Sequence, residues 1–539
     1  MFTEMSECKM LQVSLLCLLS LMLLSHVTAI CPVSQPCQCD ISIHCQNRNL
    51  TEVPPAMSSD GEDFLGLYLS QNRITDIKSD TLQGYHVSSI DLSHNPLVHL
   101  DNMAFVGMEK YLLELNLEDV HITTLPSSIA QLINLQTLNI KNNPISGIPS
   151  AFTANIGQSL LSFSFGGTKI RYWPTALNHL VRLKALDMSH NVVTFMREGA
   201  VSAFADTLQE LRLVNASLSP FQAELSKLKA LTLLDLSYNS IVDIPPGALT
   251  NMSFTLKKLT MSHAHLSYLP EALYDLNVLE ELDLSFNPMQ STNADIIGTS
   301  DNSLLRNSAA TLRFVNLSSC GLNAIPRAVV NLDQLEVLDL SRNRIVVLNN
   351  HQFSSLPHLR TLLLNDNPLM SIPYLSFSGL TSLTYLNLAR CYLTYIPSSS
   401  LPEVQNLDTL DLSSNQITRI PDVAFPGAPK LSAVDLSNNS LVYIFDYAFT
   451  DAHSVRTLRL SRCSLTRLPS SLSQADGLRT VFVDGNPIPC DCDLSWILTW
   501  QRQSGIIPNI VGRCADHPTM TISTYVSTRL QHDCGSVVG

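Results

Sequence analysis

The sequence predicts an α/β solenoid, a stack of short parallel strands closed at each end by a disulfide-bonded cap. Three observations predict it. The pattern L-x-x-L-x-L-x-x-N/C-x-L returns every 23 to 25 residues through most of the chain. A second apolar pair, such as Ile244-Pro245 or Ile396-Pro397, follows in every repeat where the chain must turn back. Eight cysteines sit in two tight clusters at the ends, Cys31, Cys37, Cys39, Cys45 and Cys490, Cys492, Cys514, Cys534.

The chain has 539 residues, 45% hydrophobic and 15% charged, with 46 acids against 33 bases and a formal net charge of -13. So much apolar material can bury a large core, which excludes a disordered chain. Phosphate recognition needs clustered Lys and Arg, so the acidic balance argues against a nucleic-acid partner.

The amino terminus reads as an address. Residues 11–24 are an apolar run of about 14 residues, short of the roughly 20 that a bilayer span requires. The small-residue pattern Val27-Thr28-Ala29 follows, so residues 1–29 are expected to be a cleaved signal peptide. Lys9 is offset by Glu4 and Glu7, which leaves a weak positive charge before the run; a start at Met5 or Met10 and an uncleaved anchor are the alternatives. No second run of spanning length follows, and residues 535–539 are too short for a lipid-anchor tail. The expected localisation is secreted and extracellular, with no membrane span.

That compartment decides the reading of the cysteines. Even-numbered clusters mean disulfides in an oxidising environment, whereas in a cytosolic protein zinc would compete. Four cysteines allow three pairings, so spacing alone leaves connectivity open.

Repeat first positions fall at Phe64, Val87, Leu112, Leu135, Leu160, Leu183, Leu208, Leu231, Leu256, Leu279, Leu312, Leu335, Leu359, Leu383, Leu407, Leu431, Val455 and Leu478. These make about 18 leucine-rich repeats over residues 64–489, between an amino cap at 30–63 and a carboxyl cap at 490–534. Each repeat supplies a strand whose alternate Leu residues point inward, and stacking buries them in a core that no single repeat can form. The expected result is a horseshoe with its parallel sheet on the concave face.

The asparagine column has its own rhythm. It reads Asn72, Asn95, Val120, Asn143, Thr168, Asn191, Ala216, Asn239, Ala264, Asn287, then Cys320, Asn343, Asn367, Cys391, Asn415, Asn439, Cys463, Asn486. An Asn amide can satisfy buried turn backbone where Ala or Val cannot. The first half mostly alternates with a period of two repeats and the second has a period of three, so two repeat families are expected to be joined, with a change of curvature at the junction. At that junction the repeat from Leu279 runs 33 residues because of a polar insertion, 290–310, expected as a surface loop or a ligand or processing loop. Cys320, Cys391 and Cys463 lie three repeats apart, on the order of 14 Å, too far for disulfides. They read as buried free thiols replacing Asn, with a reactive or metal role as the alternative.

The residues about 31–534 resemble the extracellular leucine-rich repeat family, with caps like those of Toll-like receptor ectodomains, Slit and chaoptin-type proteins. The amino cap matches in Cys31-x5-Cys37-x-Cys39-x5-Cys45, and the carboxyl cap in Asn486-Pro487-x-x-Cys490-Asp491-Cys492-x-Leu494-x-Trp496. The resemblance implies the pairs Cys31 with Cys39, Cys37 with Cys45, Cys490 with Cys514, and Cys492 with Cys534. The chain departs from Toll-like receptors in showing no span or intracellular signalling domain, and from Slit in showing no further modules, so direct signalling is not carried over.

Function must then come from surface residues. Asp recurs in D-L-S at Asp91, Asp235, Asp283, Asp339, Asp411 and Asp435, and in D-M-S at Asp187, a ladder suited to a cationic ligand or calcium, or simply the commonest filling of the repeat. Just before the Asn column, three successive repeats place Tyr238, His263 and Phe286, and side-by-side aromatics suit a binding hot spot. Arg342, Arg390 and Arg462 occupy the same column further on and suit an acidic partner. Glycan acceptor sequons occur at Asn49, Asn215, Asn251, Asn316 and Asn438. Sugars on Asn215, Asn316 and Asn438, on or beside concave strands, would leave open a window between repeats 7 and 11 that contains the three aromatics.

Motifs of catalysis are missing. There is no H-E-x-x-H, G-x-S-x-G, P-loop or dinucleotide fingerprint, so no enzyme, cofactor or metal is expected. The leading expectation is a secreted recognition protein that binds an extracellular protein or microbial ligand in cell-surface recognition, adhesion or innate immunity. An extracellular matrix component and a secreted enzyme inhibitor are the alternatives. Sequence leaves the oligomeric state open.

Overall fold

The computed structural model describes residues 33, 36–56, 64–289, 304–329, 331–504 and 509–534. The expected leader 1–29, Cys31 and the part of the polar insertion at 290–303 lie outside them. The chain divides into two compact units, Met1–Leu208 and Gln209–Gly539.

The first unit begins with Gln38–Cys39 antiparallel to Ile43–His44, and the latter runs parallel to Phe64–Tyr68. Parallel pairing then continues through Val87–Asp91, Glu114–Asn116, Thr137–Asn139, Ser162–Ser164 and Ala185–Asp187. In register along these strands run Leu67, Ile90, Leu115, Leu138, Phe163 and Leu186, all buried. Burying each such side chain stabilises the stack by roughly 1.5–3 kcal/mol.

The second unit repeats the arrangement from Glu210–Arg212 through Leu233–Asp235, Lys258–Thr260, Glu281–Asp283 and Phe314–Asn316. The ladder goes on to Thr480–Phe482 and ends with Asn509–Val511 from the carboxyl cap. Most strands are three residues long with the middle one buried and its neighbours half-buried or exposed, as a period of two requires. This is the leucine-rich repeat solenoid in both units.

On the return path several repeats make a short 3-10 turn, and one makes a seven-residue α-helix, Ser150–Ile156. Pro126, Pro174, Pro270 and Pro469 each stand immediately before a 3-10 turn, where a φ fixed near that of the turn and a missing N–H carry no cost. Of the polar stretch 290–310, Arg306–Ser308 form one of these turns. Asn307 Nδ2 donates to the Tyr274 carbonyl (2.7 Å) and Ser308 Oγ to that of Leu276 (2.7 Å), docking the turn on the preceding repeat.

Asparagines of the column are buried and bond backward. Asn239 Oδ1 accepts from the N–H groups of Ala216 and Leu218 (both 3.0 Å), and its Nδ2 donates to the carbonyls of Leu213 and Leu236 (2.7 and 2.8 Å). Asn287 serves Ala264 and Leu266 in the same way, and Asn343 serves Cys320 and Leu322. An Ala or Cys repeat is therefore satisfied by the asparagine that follows it.

Candidate recognition surface

The residue before the column adopts the left-handed conformation in every repeat from Gln71 to Gly485, with φ between 50° and 75°. There the chain leaves the strand, and the turned N–H reaches the next repeat: Tyr238 N–H donates to the Ser262 carbonyl (2.8 Å), His263 to Ser285 (3.1 Å) and Phe286 to Ser318 (2.9 Å). Gly, Asn, Asp and His tolerate this region, whereas a bulky side chain there is unusual and strained. Tyr238 and Phe286 occupy it at φ 58° and 56°.

The fold stacks the three rings. Tyr238 and His263 have centroids 4.3 Å apart with planes 10° from parallel, and His263 and Phe286 repeat the arrangement at 4.3 Å and 13°. Tyr238 is 54% exposed and Phe286 42% exposed, so the stack remains open to water. Beneath it runs a serine ladder that sequence reasoning missed. Ser285 and Ser262 hydroxyls lie 3.0 Å apart, Ser262 N–H donates to Ser237 Oγ (3.2 Å), and Ser262 Oγ sits 3.0 Å from His263 Nδ1. The recurrent Ser two residues before the column was its signal.

The arginines of the column are placed differently. Arg342, Arg390 and Arg462 share the left-handed backbone but are separated by other residues. Arg390 forks onto both carboxylate oxygens of Asp366, with Nη2 to Oδ2 at 2.9 Å. That hydrogen bond holds the Asp366 carboxyl below its usual range.

Acids of D-L-S face a structural task. Asp235, Asp283, Asp339, Asp411 and Asp435 each accept, through Oδ1, from the backbone N–H two residues on, at 2.8–3.0 Å. Asp91 and Asp187 do the same. One oxygen of each acid is thus engaged in ending its strand.

Among the sequons, Asn49, Asn215 and Asn438 are exposed at left-handed positions. Asn316 is half-buried at the end of Phe314–Asn316, with Oδ1 accepting from Ser318 N–H (3.0 Å). Asn251 lies in a 3-10 turn on the return path, its Nδ2 donating to the Ser226 carbonyl (2.7 Å).

Disulfides join Cys37 to Cys45 in the amino cap, and Cys490 to Cys514 and Cys492 to Cys534 in the carboxyl cap. Cys39 is also disulfide-bonded, while Cys31 lies outside the described residues. Cys320, Cys391 and Cys463 are free and buried. Cys320 Sγ approaches the Leu284 carbonyl at 3.1 Å and Cys391 Sγ that of Leu364 at 3.2 Å, in the position of an Asn amide. Burial pushes both thiols up to about 12, which keeps them protonated and unreactive. Among the described residues, the one grouping of three metal-type ligands, Cys490, Cys514 and Asp516, contains a disulfide. Asp516 Oδ1 there accepts from Cys490 N–H (2.9 Å).

Comparison with known proteins places this geometry in a class. The leucine-rich repeat family model matches residues 85–145 and 229–289 and, in overlapping windows, 310–369 through 405–465, more than half of the chain. The chain belongs to the leucine-rich repeat family. Leucine-rich repeat-containing protein 3B of Homo sapiens is 29% identical over 119 residues, 22% of this chain and 43% of that protein, so the match spans less than half of the relative's length. Among solved structures, Toll from the Drosophila Toll–Spatzle complex aligns with a TM-score of 0.63 at 18% identity, over 85% of this chain and 67% of Toll. A leucine-rich repeat protein of Leptospira interrogans aligns at 0.51 and 21% identity, over 86% of this chain and 93% of its own. These likenesses show a shared fold. No helix among the described residues is long and apolar enough to cross a membrane.

Proposed function

We propose that this chain is a secreted, non-catalytic recognition protein that binds an extracellular protein or microbial ligand through the stack Tyr238, His263 and Phe286. The observation that carries the reading is three contiguous rings, 4.3 Å apart, standing open to solvent on left-handed backbone where small polar residues fit best. Rigid aromatic surface of this kind is the commonest source of binding energy at protein interfaces. The disulfides support an oxidising, extracellular compartment, and residues 1–29 act as the leader. Toll, a protein of this fold, is described in a complex with Spatzle. Glycans on Asn215, Asn316 and Asn438 would leave open the window between repeats 7 and 11, which holds the stack, and the lateral edges.

The test is binding of the glycosylated protein to host cell surfaces and to microbial surface preparations, beside a Tyr238→Ala, Phe286→Ala variant. Loss of binding in the variant supports the reading, and the surface bound names the ligand class. Binding retained in the variant removes the stack from the site. Binding to neither surface raises the matrix and inhibitor alternatives above recognition.

A further inference from the structure

The first unit holds a second surface that the aromatic stack does not involve. The loops after Thr137–Asn139, Ser162–Ser164 and Ala185–Asp187 border a cleft of about 590 Å³, within the range of roughly 300–1,000 Å³ typical of small-ligand sites. Gly147, Tyr172 and Phe195 occupy one position in three successive repeats, each four residues past the Asn column. A Cβ on Gly147 would meet nothing within 4 Å, so the cleft is open on that side, where the next two repeats carry rings. Tyr172 is 77% exposed and Phe195 64% exposed. Behind them Trp173 is buried and donates Nε1–H to the Ala200 carbonyl (3.0 Å), which fixes the floor. Backbone bonds from Lys169 N–H to the Ile145 carbonyl (2.8 Å) and from Val192 N–H to that of Ile170 (3.3 Å) tie the three loops together.

Charge decides what fits. Arg171, Arg197 and one acid, Glu198, line the cleft and are exposed; the two guanidinium groups outnumber the carboxylate, and neither Arg makes an ion pair among the described residues. Two uncommitted guanidinium groups beside open rings stand out in a chain of net charge -13. Guanidinium forks match carboxylate and sulfate oxygens. The flat rings and the nearby Asn178 and Thr175 offer apolar and hydrogen-bonding surface in alternation, which a sugar ring presents in turn. An acyl chain would instead need an enclosed apolar cavity. We infer that this cleft binds an acidic oligosaccharide, with sugar rings against Tyr172 and Phe195 and carboxylate or sulfate groups on Arg171 and Arg197.

The test is calorimetric titration of the intact protein with a heparin-derived octasaccharide, oligosialic acid, neutral maltooctaose, and an acidic peptide rich in Glu and Tyr. Two cleft variants are compared: Arg171→Gln with Arg197→Gln, and Tyr172→Ala with Phe195→Ala, which removes the two exposed rings. At least one acidic sugar is expected to bind, about tenfold or more weaker in each cleft variant and unchanged in Tyr238→Ala, Phe286→Ala, with no binding of maltooctaose. Failure of both acidic sugars to bind, or binding indifferent to the cleft variants, overturns the inference. So does binding of the acidic peptide alone through Arg171 and Arg197. Because the Tyr238 variant keeps this cleft, failure here and failure of the proposed function are separately visible.

Discussion

Two sets of repeats use one backbone position for different chemistry. In the stretch from Tyr238 to Phe286 the left-handed residue is aromatic three times running, and the rings stack into a continuous open surface. From Arg342 to Arg462 the same position is Arg in only some repeats, and Arg390 is already bound to Asp366. The backbone is common to both, so the solenoid does not dictate the difference. Contiguity does: adjacent repeats combine side chains into one surface, while interrupted ones leave isolated contacts to be absorbed by neighbours.

The largest expected effect tests the frame beneath both sets. Asn287→Ala removes an acceptor from Ala264 and Leu266 N–H and a donor to the Met261 and Leu284 carbonyls. Leaving such buried groups unpaired costs about 3 kcal/mol or more of local stability, read by hydrogen exchange. Cys320→Ala should cost only about 1 kcal/mol, because Asn343 still serves that turn. Equal losses would mean that the backward bonding of Asn is not what distinguishes the rungs.

Next comes binding. Tyr238→Ala with Phe286→Ala should weaken ligand binding by about 2 kcal/mol or more, roughly thirtyfold, with little change in melting temperature. Arg342→Ala with Arg462→Ala sharpens the contrast, with an expected loss under about threefold, the range of solvent-exposed charges. A larger loss for the arginine pair would invert the assignment of the two regions.

The smallest effect concerns the Arg390–Asp366 pair. The Asp366 carboxyl is held low by Arg390, so its contribution is present above the ordinary carboxylate range and is lost as pH falls through the depressed value. Because Arg390 is largely exposed, the native protein should exceed Asp366→Asn by less than about 1 kcal/mol at neutral pH, with no difference in strong acid. Chemical denaturation at several pH values checks both.

Strand spacing was legible because alternate leucines must face one core, and the aromatic column because its register follows from the same period. Less was legible wherever a residue acts through backbone geometry. The Asn column signalled a buried turn, but not that Asn239 bonds the repeat before it, since that depends on how adjacent turns stack. The D-L-S acids read as the ordinary filling of the repeat with a cation ladder as the alternative, and the sequence did not say that their Oδ1 atoms end the strands. Left-handed backbone at Tyr238 and Phe286 went unread, although Gly, Asn, Asp and His fill much of that column elsewhere. The cleft at Gly147, Tyr172 and Phe195 lies past the repeat's defining residues, where no leucine marks the register.

The most direct test of the recognition surface is photo-crosslinking of bound ligand from a benzophenone amino acid placed at Phe286 or, separately, at Arg462. Crosslinks from position 286 with none from 462 are the predicted result. Crosslinks from 462 with none from 286 would contradict the assignment of binding to the aromatic stack.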